Sequence, residues 1–117
     1  MLTREQIDAL NDVEIVSVEV PEWKGQVFIR SLDAAGREAM AARLDKEKAK
    51  PNSKVSTAGI IVAAVLCDHA GRLLYGDEDG PAILSKRNTR ALDRIIKAAK
   101  GLNGFGDDEV KAAAKNS

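Results

Sequence analysis

Little in this chain invites covalent chemistry. One cysteine excludes an internal disulfide, and the single histidine leaves no second imidazole for a metal site or proton relay. Only Trp23, Phe28, Tyr75 and Phe105 are aromatic, so any core is aliphatic. No glycine-rich phosphate loop occurs. The longest apolar run, Ala58 to Cys67, falls well short of the roughly 20 residues a membrane span requires. No basic-then-apolar leader follows Met1, so a cytoplasmic, soluble protein is expected. Net charge is zero, which argues against a general binder of polyanions.

What is present is a single domain of 117 residues, 44% apolar and built from Ala, Val, Leu and Ile. Its clearest opening signal is alternation. Val16, Val18 and Val20 face one way, with Ser17 and Glu19 facing the other; after Pro21-Glu22-Trp23-Lys24-Gly25, Val27 and Ile29 share a face opposite Phe28 and Arg30. Period-two patterning joined by turn residues predicts a β-hairpin over 14–31. A two-stranded ribbon is marginal alone and must lay one face on something apolar.

The remainder reads as helix. Thr3 and Gln6 form a capping-box pattern for a helix over 4–11, with Ile7 and Leu10 as its apolar edge. Ser31 is a candidate cap for a second helix, in which Leu32, Gly36, Met40 and Leu44 stack at i,i+4 spacing. That helix turns wholly polar over 45–50 and stops at Pro51. Ser56 or Thr57 can cap 58–67, an apolar run whose Ala and Leu content and length favour a central helix over a buried strand. A turn at 68–72, a short strand at 73–75 and an acidic loop at 76–81 follow. Pro81 then suits the first turn of a short helix over 82–86. Asn88 or Thr89 caps the strongest amphipathic helix, with Leu92, Ile95, Ile96, Ala99 and Leu102 on one face and Arg90, Arg94 and Lys97 on the other; Gly101 and Gly104 close it. A last helix over 107–115 is expected, in an end (103–117) prone to fray. The predicted class is α+β, mostly α, with an N-terminal β-hairpin packed on about four to five helices.

No catalytic, cofactor or metal site assembles from these residues. Cys67 and His69 sit two apart with no evident third group to orient them, so a buried thiol and a polar turn residue account for both. Asp77-Glu78-Asp79-Gly80 fails the calcium-loop pattern, because Pro81 occupies its fifth position. Charge is unevenly spread. Acids dominate 1–25 (Glu5, Asp8, Asp12, Glu14, Glu19, Glu22) and bases dominate 86–100 (Lys86, Arg87, Arg90, Arg94, Lys97, Lys100), which either permits self-association or cancels within the fold. A short helix, a turn and a basic helix superficially suggest helix-turn-helix, yet base-reading Asn or Gln is absent beyond the first turn of the second helix.

In order, these segments resemble the tail assembly chaperones of long-tailed, lambda-like bacteriophages and their prophages. The matching pieces are the opening Leu-Thr-Arg-Glu-Gln-Ile, the hairpin Val18-Glu-Val-Pro-Glu-Trp-Lys-Gly25 running into Val27-Phe-Ile-Arg-Ser-Leu32, and the helix start Asp33-Ala-Ala-Gly-Arg-Glu38. They continue with the buried run to Cys67-Asp68, Gly71-Arg-Leu-Leu-Tyr75, the acidic loop and Leu102-Asn-Gly104. The likeness spans nearly the whole chain; its strongest piece is the Val-Pro-Glu-Trp-Gly type hairpin, here with Lys24 inserted before the glycine. It implies a non-enzymatic factor, absent from the virion, that binds the tape measure protein, keeps it soluble and brings tail tube subunits to it. It also implies a frameshift-extended form contacting those subunits, for which Ala114-Lys115-Asn116 is compatible with an A-AAA-AAC slip site. Candidate partner-binding residues are Trp23, as an interface anchor or a core residue folded back, Met40 and Leu44, and the basic face Arg90, Arg94 and Lys97. A tail connector or completion protein and a DNA-binding regulator are the competing readings.

Overall fold

A computed structural model describes residues 1–105. The chain is α+β: a three-stranded antiparallel sheet, in the order β1-β2-β3, packed with five helices among the described residues. The hairpin is formed by β1 (Ile15–Val20) and β2 (Gly25–Arg30) in the register Val16↔Ile29 and Val18↔Val27. A single 3-10 turn, Pro21–Trp23, joins them, and Lys24 absorbs the extra residue in a left-handed conformation (φ 56°). Val20 and Ile29 are fully buried beneath the helices.

Several boundaries differ from the sequence reading. The first helix, α1 (Arg4–Asp8), forms its full capping box but stops short of residue 11 and buries nothing; Ile7 and Leu10 stay exposed. The cap of α2 (Ala34–Lys48) is Asp33, whose carboxylate accepts from Gly36 N–H at 2.6 Å. Ser31 is otherwise engaged: its N–H donates to Glu14 O and its hydroxyl accepts from Glu14 N–H, both at 2.8 Å, which extends the hairpin past Arg30. Leu32 therefore precedes the helix it was expected to open.

The apolar run at 58–67 satisfies both of its readings. Ser56 caps α3 (Thr57–Val65), almost every residue of which is buried. At Leu66 the backbone turns extended, and β3 (Leu66–Cys67) pairs with Ile29 and Phe28. The expected strand at 73–75 reduces to one bridge between Leu73 and Cys67, with Leu74 N–H donating to Leu66 O at 3.0 Å. Next, α4 (Gly80–Leu84) starts two residues earlier than expected, with Pro81 in its first turn.

The long helix α5 (Thr89–Asn103) follows its amphipathic pattern. Asn88 caps it, Leu92, Ile95, Ile96 and Ala99 are buried, and Gly104, in a left-handed conformation, terminates it; Gly101 lies within the helix. Asn103 and Phe105, at the start of the expected fraying end, are held. Asn103 Oδ1 accepts from Leu32 N–H at 2.6 Å, and Phe105 is buried under the Arg37 guanidinium, 5.3 Å from the ring centroid. The expected final helix over 107–115 lies outside the described residues. The core is aliphatic apart from Phe105.

Candidate functional site

An apolar groove of about 420 Å³ lies between α2, α3 and the loop leading into α4. Spacing along α2 puts Gly36, Ala39, Met40 and Arg43 on one stripe, in keeping with i,i+3 and i,i+4 neighbours. Ala63, Ala64 and Ile60 of α3 form the facing side, and Leu73 and Tyr75 supply the third. The α-helical lining is mostly small residues. Met40 at its base is buried, and its unbranched thioether adapts to irregular neighbours.

Charges pin the loop side of the groove. The half-buried Arg30 donates to Gly71 O at 2.9 Å, and Arg43 donates to Glu78 O at 3.2 Å. Lys46 pairs with Glu78 at 3.6 Å, an exposed contact worth little by itself. Arg43 also holds Glu47 Oε1 at 3.1 Å, and Ser53 donates to Glu47 Oε2 at 2.6 Å. The polar half of α2 thus contains a buried carboxylate. Ser53, Arg43 and Lys50 stabilise its ionised form, holding its pKa below the ordinary value despite the cost of burial.

Apolar surface continues outward from the groove. Phe28 pairs with Cys67, which bridges to Leu73, and residues directly opposite in a ladder share a face. Phe28 and Leu73 are 41% and 40% exposed, so the strip reaches the outer side of the hairpin.

The six residues singled out in the sequence do not form one site. Met40 lines the groove, while Leu44 borders a separate, polar hollow of about 310 Å³ around Glu47, Lys50 and Ser53. Half-buried Trp23 packs on the core and lines a third, smaller cavity with Leu66, Leu84 and Tyr75. Arg90, Arg94 and Lys97 are exposed on α5. Arg94 donates to Glu22 Oε1 at 2.8 Å, joining the acidic N-terminal region to the basic helix, and this bond holds the Glu22 carboxyl below its ordinary pKa. Part of the charge asymmetry is therefore internal. Leu73 and Tyr75 were missed as lining residues; an apolar triplet followed directly by an acidic run was the available signal.

Among the described residues no group of His, Cys, Asp and Glu is arranged to hold a metal. Burial pushes the Cys67 thiol up, away from the nucleophilic thiolate, and His69 is exposed. No helix among the described residues is long and apolar enough to cross a membrane.

Comparison with protein families, with curated proteins and with solved structures finds no match for the chain.

Proposed function

We propose that this chain is a tail assembly chaperone of a long-tailed phage or prophage, acting in the host cytoplasm without catalysing a reaction. It binds the tape measure protein, keeps that long helical client soluble and helps bring tail tube subunits to it. The observation that supports this reading best is the apolar groove, with its small-residue helical walls and charged rim. A helical client lays a stripe of i, i+3, i+4 and i+7 apolar side chains into such a groove. Met40 accommodates different residues as successive client segments are sampled, and the exposed strip at Phe28 and Leu73 widens the contact. Arg30, Arg43, Asp77 and Glu78 along its rim orient the segment while favouring release over tight capture.

Co-expression tests this directly. The wild-type chain is expected to move the tape measure protein from the pellet to the supernatant. Ala39→Lys, at an exposed groove position, is expected to abolish that effect while leaving the circular dichroism spectrum unchanged. An equally insoluble client with and without the wild-type chain would reject the function. Full rescue by Ala39→Lys would reject the groove as the binding surface.

A further inference from the structure

The outer edge of the sheet is unused by everything described so far. Strand β1 has a single neighbour among the described residues, β2. Because Ser31 donates its N–H to Glu14 O, Glu14 and Ser31 are a hydrogen-bonded pair of the antiparallel ladder. Bonded and non-bonded pairs alternate along such a ladder. Val16, Val18 and Val20 therefore direct their backbone groups to β2, whereas those of Ile15, Ser17 and Glu19 point away from the sheet. Natural edges are ordinarily blunted by lysine, an internal proline or a bulge. Ile15–Val20 has none of these, and its register with β2 runs without interruption. The core-side face also ends abruptly here: Val16 is 38% exposed although Val20 and Ile29 on the same face are fully buried.

Charge identifies what completes the edge. A strand pairing antiparallel to β1 runs past it in the opposite direction. If that strand is another β1, the acidic lead-in of one copy (Asp12, Glu14) passes the hairpin tip of the other, where exposed Lys24 and Arg90 lie beside the Glu22–Arg94 ion pair. We infer that a second copy of this chain adds to the sheet through β1, on a two-fold axis at Ser17. In that register Ser17 faces Ser17, Ile15 faces Glu19, and these pairs exchange the outward backbone bonds. Val16 of each copy then lies beside Val18 of the other, covering the exposed Val16 end of the core-side face. An axis at Val18 would instead set Ile15 against Pro21, which has no N–H to give. The contact is isologous and closes after two copies. It does not depend on the proposed client or function.

Sedimentation equilibrium of the full chain across a micromolar concentration range tests the dimer, with hydrogen exchange read at Ser17 and Glu19. The wild type is expected to dimerise, and protection of both amides is expected to rise with concentration. Ser17→Pro removes an N–H that β2 does not use, and Ser17→Lys sets two ammonium groups face to face at the axis. Each is expected to weaken self-association roughly tenfold or more, and Ser17→Lys keeps the test valid should the proline variant misfold. Raising salt is expected to weaken the wild-type dimer, since the acidic lead-in passes the cationic Lys24 and Arg90. A wild-type monomer at every concentration, edge amides protected in a monomer, or a dimer unaffected by both substitutions would each overturn the inference.

Discussion

Gly59→Ala probes a close approach of α3 to α4. A Cβ at Gly59 would stand 2.5 Å from Pro81 O and 2.5 Å from Ser85 Oγ, in the interior where α3 meets α4. Neither neighbour is a flexible side-chain end free to swing aside. Pro81 O is backbone, and Ser85 Oγ is tied on three sides. It donates to Pro81 O at 2.6 Å, accepts from Ser56 N–H at 2.7 Å, and hydrogen-bonds Ser56 Oγ at 3.0 Å. Ser56 is in turn the cap of α3. Relief of the clash must displace α4 or break this cluster. Overpacking costs about 1–3 kcal/mol, and one half-buried bond left unsatisfied costs about 1–3 kcal/mol more. Replacing a helical glycine returns about 1 kcal/mol through propensity. The balance is a loss of about 1–5 kcal/mol from a domain expected to hold about 5–15 kcal/mol. Gly101→Ala is the matched control, because it lies in α5 with nothing within 4 Å of its Cβ position. It receives the same propensity gain without the clash, so it is expected to stabilise by about 0.5–1 kcal/mol. Urea titrations followed by circular dichroism measure both, with an unchanged slope confirming that only stability moved. Equal midpoints for the two variants would refute the close α3–α4 approach.

Two further outcomes follow from polar contacts. Hydrogen bonds and cationic neighbours hold Glu22 and Glu47 below their ordinary value of 4.5, and backbone N–H groups of Arg72 and Ala70 hold Asp68 below 3.8. The unfolded chain therefore takes up these protons first as the solution is acidified. The stabilisation is complete above about pH 5 and is lost as pH falls through the depressed folded values. Urea midpoints are expected to be flat from neutrality to that point and to drop below it, with a shallower drop in a Glu22→Gln, Glu47→Gln double variant; identical profiles would be the contrary result. Asn103→Ala removes the acceptor for Leu32 N–H and is expected to cost about 1–2 kcal/mol. Asn103→Asp, which keeps an acceptor oxygen, is expected to recover part of it in the same titration.

Local chemistry was enough for several elements. Alternating valines and a Pro-Glu-Trp connection specify the hairpin, because strand period and turn residues are read within a few positions. The capping box at Thr3, the cap at Asn88 and the apolar stripe of α5 were legible for the same reason. Competition between elements was not. Ser31 and Asp33 are both good caps, and the choice fell to Asp33 only because Ser31 was taken by Glu14 across the sheet. Leu66 and Cys67 are apolar enough for either helix or strand; the open side of β2 recruited them. Glu47 sits in a segment that looks fully solvated, and its burial depends on Ser53 folding back over it. The groove joins Met40 to Leu73 and Tyr75, residues remote along the chain, so no periodicity records their meeting. Amino-acid order alone thus determined which segments are helix or strand wherever the decisive contacts lie within a turn or a hairpin. Tertiary packing decided the caps, the third strand and the concave surface, because each depends on which distant partner reaches a polar group or apolar face first.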